Sequence, residues 1–124
     1  NIASQEDWCV GLPKIELKDF LVGVLCNGAI VLHNGNDKER TLVLNYALPK
    51  ANQPPFECYQ WVNISQTEVF LYPMETIVVP VTFKVPKEYK KSLPDKFEFN
   101  ILVAEKNNQE TIQINYRQRW IITK

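Results

Sequence analysis

One histidine (His33), three cysteines and fourteen carboxylates are the residues from which this chain could build a reaction. A nucleophilic triad needs an imidazole within reach of Ser or Cys, with an acid orienting its other nitrogen. Cys26 lies six intervening residues from His33, a spacing that does not establish a spatial pair. His33 stands beside Asn34-Gly35, where an ordinary strand-end role is expected. The separations of Cys9, Cys26 and Cys58 do not match a closely spaced zinc knuckle. With three thiols, at least one lacks an intramolecular disulfide partner. Three reduced thiols and one bridge of unspecified pairing both stay open.

The carboxylates are equally dispersed. Glu16 and Asp19 have opposite strand parity, and Glu98 and Glu110 belong to separate expected strands, so no acid pair of the glycosidase type stands out. There is no phosphate-binding loop and no dinucleotide fingerprint. The expectation is a protein that is not an enzyme, with no catalytic residue, no metal ligands and no cofactor.

Binding chemistry has more to work with. In Tyr116-Arg117-Gln118-Arg119-Trp120, aromatic rings could stack on a base or sugar and guanidiniums could pair with phosphate or carboxylate. On one strand, however, Tyr116, Gln118 and Trp120 face one side and Arg117 and Arg119 the other. Core closure beneath a solvated face is the expected arrangement. Arg117 and Arg119 are then candidate partner contacts, as are Lys87, Lys90 and Lys91 in the densest basic stretch. Asn63-Ile64-Ser65 matches the glycan-acceptor pattern, making Asn63 a candidate glycosylation site. Trp61 is expected to anchor the core rather than to recognise sugar.

The elements that must position these residues follow from size and periodicity. The chain has 124 residues, 45% of them hydrophobic and 23% charged, enough for one domain with a sizeable core. Fourteen basic and fourteen acidic side chains cancel, so the positive field that drives nonspecific nucleic-acid binding is absent. No apolar run approaches the roughly 18–20 residues of a membrane-crossing helix. Any membrane attachment is expected through a region outside this chain.

Period-two patterns recur at Ile15–Phe20, Ala29–His33, Arg40–Tyr46, Cys58–Tyr72, Thr76–Pro86, Phe97–Ala104 and Thr111–Ile121. Leu21–Cys26 reads as a further segment, or as a continuation past a bulge at Gly23. The Asn34-Gly35-Asn36-Asp37 stretch predicts a tight turn joining Ala29–His33 to Arg40–Tyr46 as a hairpin. Pro80 predicts an edge or a local break, and Pro49–Pro55 a loop or sheet crossover. Seven or eight short strands without a long amphipathic helix predict an all-β, immunoglobulin-like, two-sheet antiparallel sandwich over residues 13–124, behind an irregular lead-in over 1–12. Val78–Val85 and Thr111–Ile121 are its expected candidates for an exposed edge.

From Trp61 onward the order Trp61-Val62-Asn63-Ile64, then Val69–Thr76, then Val79-Pro80-Val81-Thr82-Phe83-Lys84-Val85-Pro86 resembles Ig-like modules of archaeal and bacterial surface proteins. Asp95–Ile101 and Ile30–Asn36 extend the resemblance over residues 13–121. Met74 stands where those modules often have the glycine of a Pro-Gly-Glu turn, so the loop lacks glycine's wider backbone range. The resemblance implies an extracellular or cell-envelope, non-enzymatic structural or interaction module, with a filament, surface-layer or other envelope protein as partner and self-association as a further route. A virion decoration module and a carbohydrate-binding module are the alternatives.

Overall fold

Alternating side chains resolve into eight strands among the described residues, which are 13–47, 58–89, 92–93, 95–106 and 112–124 of a computed structural model. These are β1 (Lys14–Leu17), β2 (Cys26–His33), β3 (Arg40–Ala47), β4 (Val62–Ile64), β5 (Glu68–Leu71), β6 (Thr76–Phe83), β7 (Lys96–Lys106) and β8 (Ile112–Thr123), with one helical turn, α1 (Cys58–Trp61), before β4. The expected lead-in over 1–12, the Pro49–Pro55 loop, Lys90 and Lys91 lie outside the described residues.

Two sheets pack face to face, one ordered β1-β8-β7-β3-β5 and the other β2-β6-β4. The period-two patterns resolve into buried strand faces, although Tyr46, which has the parity of Leu42 and Leu44, is exposed. Leu42 and Leu44 of β3, Val79, Val81 and Phe83 of β6, and Phe97, Phe99, Ile101 and Val103 of β7 are all buried. Ile30 and Leu32 meet them from β2, and Trp120 and Ile122 from β8. Removing these faces from water is the main favourable term holding the layers together.

Up to β7, successive strands alternate between the two sheets. This overturns the expected β2–β3 hairpin: β2 pairs with β6, and β3 pairs with β5 and β7. The Asn34–Asp37 stretch is a crossover between layers, and Gly35 is not among the residues with positive φ. Among the described strands, β7 and β8 are the consecutive pair that share a ladder.

Three further expectations change. The apolar Leu21–Cys26 segment is a turn up to Leu25, and β2 begins only at Cys26. Neither expected edge is one: β6 lies between β2 and β4, and β8 between β1 and β7. β1 and β8 run parallel, the departure from an otherwise antiparallel sandwich. A parallel neighbour needs a long excursion between its strands, and the whole domain separates these two.

Pro80 shows how a central strand tolerates proline. Its partner strand β4 stops at Ile64, opposite Val81, and the Pro80 carbonyl accepts the Ser65 amide at 3.1 Å. In an antiparallel ladder a residue's N–H and C=O point the same way, so the missing donor faces the place where β4 has ended.

Candidate interaction surface

Strand directions divide the sandwich into a near end, with the turn after β1, α1 and the β6–β7 connection, and a far end, with the β2–β3 and β5–β6 connections. At the near end Phe20 sinks into the core, 5.5 Å from Phe97 and 6.2 Å from Phe83 between ring centroids, and its amide donates to the Thr123 carbonyl at 3.1 Å. The chain then turns sharply. The Val24 amide donates to the Leu21 carbonyl at 3.0 Å, with Gly23 at φ 80°, as in a turn whose third residue needs a positive angle. The Gly23 amide ties this turn to the Val85 carbonyl at 2.8 Å.

That anchoring leaves four large apolar side chains in solvent. Leu21, Val22, Val24 and Leu25 are 64%, 42%, 50% and 50% exposed. Single exposed apolar residues are ordinary; four within five positions on a turn tied down by backbone hydrogen bonds form a patch. Beside the patch opens a cleft of about 420 Å³ whose walls include Leu25, Trp61, Asn63, Thr82, Lys84 and Lys87. Trp61 closes the cleft floor. Its ring meets Tyr89 edge-on at 4.8 Å and its carbonyl accepts the Lys84 amide at 3.0 Å.

The cleft continues onto the outer face of the three-stranded sheet. Register and parity put Asn27, Ala29, Val31 and His33 there from β2, opposite Thr82, Pro80, Val78 and Thr76 from β6, with Asn63 from β4. None of these is Asp, Glu, Lys or Arg. The outer face of the larger sheet is different: Arg119 Nε and Nη2 donate to the two Glu98 oxygens at 2.7 and 3.0 Å. Those hydrogen bonds hold the Glu98 carboxyl below its ordinary range.

The residues singled out from sequence now have places. Tyr116, Gln118 and Trp120 are buried, and Arg117 and Arg119 face solvent. The Trp120 indole donates to Gln118 Oε1 at 2.8 Å, which gives this buried amide its role. Lys87 is exposed at the cleft, while Arg117 and Arg119 lie on the other sheet. Asn63 is exposed at the cleft rim. Trp61 and Trp120 are buried, so neither offers a ring to a sugar; Tyr72 is exposed.

Among the described residues no reaction centre assembles around His33 or Cys26. His33 Nδ1 is 2.8 Å from Thr76 Oγ1. Cys26 begins β2 and His33 ends it, roughly 23 Å apart at strand rise, with opposite parity. Cys26 is a free thiol, and burial raises its pKa, the reverse of nucleophile activation. Among the described residues no group of three or more His, Cys, Asp or Glu could hold a metal ion. The apolar turn escaped the sequence reading because Phe20–Cys26 looks like any buried strand. The signal available was Gly23 in its middle, together with the lack of alternating polar residues.

Neither a known sequence family nor a curated protein matches the chain. Solved structures do match. The ASH/PapD-like domain of human CEP192 is similar over 95% of this chain and 84% of its own, at 11% identity and a TM-score of 0.69. The sandwich has the PapD-like, immunoglobulin-type fold. A chain of the CsuC–CsuE chaperone–tip adhesion subunit pre-assembly complex from Csu pili of Acinetobacter baumannii matches over 94% of this chain, at 9% identity and a TM-score of 0.61; this chain spans 56% of that chain's length. SSP-19, an MSP-domain-like protein of Caenorhabditis elegans, matches 90% of the chain and 95% of its own, at 11% identity and a TM-score of 0.55. At such identities the PapD-like likeness carries the fold alone, and the surface-protein origin implied by the motifs is not part of it.

Proposed function

We propose that this PapD-like sandwich is a non-catalytic protein-interaction module of an extracellular or cell-envelope assembly, and that its contact surface is the near end. The observation that carries the reading is the Leu21–Leu25 turn: four aliphatic side chains held in water by a backbone that cannot fold them inward. Burying them against a partner would remove apolar surface from water at about 25 cal/mol per Å². The adjoining cleft supplies polar groups for orientation, and Lys87 supplies charge. A structural neighbour that is a pilus chaperone in complex with an adhesion subunit supports an envelope setting and a protein partner.

Arg117, on the outer face of the larger sheet, and Lys90 and Lys91, next to Lys87 in the chain, are proposed as secondary contacts. Asn63 is proposed as a glycan acceptor in a glycosylating compartment. A glycan there would stand at the cleft rim and narrow the contact surface.

A photocrosslinker placed at Leu21 or Leu25 in the native producing cells tests the reading. One discrete crosslinked protein species is expected in the envelope fraction, and it should be absent when the probe sits at Arg117. Equal, diffuse labelling from both positions would refute the near end as the contact surface. Asn63→Gln should remove any glycan mass from the secreted protein.

A further inference from the structure

Resting on the interaction reading above, we propose that the partner at the near end is the far end of a second copy of this chain, so that copies join head to tail. The far end carries the other large exposed apolar group. Phe70, on the outward face of edge strand β5, and Tyr72, just past its end, are 46% and 59% exposed and meet edge to face at 4.9 Å. Met74 projects from the following turn, 64% exposed. The exposed large hydrophobics of the described residues therefore gather chiefly at opposite ends of one sandwich.

Charge makes the ends complementary. Around the apolar turn stand Lys18, Lys84 and Lys87 against Asp19 and Glu88. Among the described residues of the Met74 turn and the neighbouring crossover, Asp37, Glu39 and Glu75 stand against Lys38, while Arg40 and Lys106 at the same end are paired with Glu105 and Glu68. Two near ends would oppose like charge, and so would two far ends; a near end on a far end pairs opposite charge. Such a heterologous contact does not close on itself, so association continues past the dimer unless a rotation closes a ring.

Hydrogen bonds tie down the docking segments at both ends. At the far end the buried Asn34 ties the two sheet crossovers together: its amide donates to the Lys38 carbonyl at 2.7 Å and the Tyr72 carbonyl at 3.2 Å. Its backbone exchanges hydrogen bonds with the Met74 amide at 2.7 Å and the Glu75 carbonyl at 2.9 Å.

Sedimentation velocity and equilibrium on the full chain decide the matter, using three variants whose changes lie on exposed side chains. L21S/V24S disables the near end and F70S/Y72S the far end; D37K/E39K disables the far end by charge and covers the case in which the edge-strand change impairs folding. The unaltered chain should gain mass with concentration, pass the dimer, and lose that gain as salt is raised. Each variant alone should stay monomeric, and an equimolar mixture of a near-end and a far-end variant should form a one-to-one dimer and stop. Three results overturn the proposal: a monomer at millimolar concentration, self-association that survives in either single-end variant, or a mixture that stays monomeric. A monomer that still yields one crosslinked envelope protein from Leu21 would sink head-to-tail joining alone and leave the interaction reading standing.

Discussion

The indole of Trp120 fills the space above Gly28, where a Cβ would come within 2.5 Å of the ring. Gly28 points inward from β2, in register with Val81, so the absent side chain is a requirement of packing between the layers rather than of backbone angle. The same indole stacks on Phe99 at 5.8 Å and donates to Gln118. Its position is thus fixed from three sides.

Gly28→Ala should therefore destabilise the fold by about 1–3 kcal/mol, the range for overpacking a filled core. Urea unfolding would show a lower midpoint, with weakened near-ultraviolet Trp ellipticity. A double variant that also carries Trp120→Phe should recover part of the loss, because the smaller ring vacates the space.

Asn34 makes a sharper prediction through its polarity. It is fully buried, its amide faces the carbonyls of Lys38, Leu71 and Tyr72, and its Oδ1 accepts the Asn36 amide at 3.0 Å. Asn34→Ala leaves these groups without their partner and should cost about 1–3 kcal/mol. Asn34→Asp should cost more at neutral pH, since it sets a carboxylate against carbonyl oxygens. Those oxygens favour the protonated carboxyl and raise its folded-state pKa, so the extra penalty should shrink as pH falls. Denaturation midpoints for both variants between pH 4 and 8 would display the convergence.

Met74 sits at φ 62° in the turn closed by the Glu75 amide on the Tyr72 carbonyl at 3.1 Å. With Pro73 before it, this is the position of a type II turn that favours glycine. Met74→Gly should stabilise the fold by about 0.5–1 kcal/mol by relieving the left-handed strain, less the added freedom of the unfolded chain. A small rise in melting temperature is the expected readout; Met74→Val, β-branched at positive φ, should lower it.

The Glu98–Arg119 pair gives a pH signature. Because the hydrogen bonds from Arg119 depress the Glu98 carboxyl, its contribution is present above the ordinary carboxylate pKa and is lost as pH falls through the depressed value. The pair is open to solvent, so screening keeps the effect small. Glu98→Gln should be slightly less stable than the parent at pH 7 and should match it in strong acid, as chemical unfolding across that range would show.

Which side chains face inward was readable from the chain alone. Leu42, Leu44, Val79, Val81, Phe83, Phe97, Phe99, Ile101 and Val103 recur at every second position of their strands, and a strand's period of two turns that spacing directly into burial. The same local rule placed Arg117 and Arg119 on the wet side of β8, and the resemblance to a Pro-Gly-Glu turn marked Met74 as a misfit. Partner choice between strands is another kind of quantity. It depends on which layer each strand joins, and β2 and β3, divided by an inviting Asn-Gly, enter different sheets because their inner faces must oppose each other across the core. The fate of Leu21–Leu25 was likewise decided in three dimensions. Phe20 takes the last place in the aromatic end of the core, and the bonds from Gly23 and Phe20 to Val85 and Thr123 then hold the next residues outside. Periodicity reports which way a side chain points relative to its own backbone; only the packed layers determine whether anything is there to meet it.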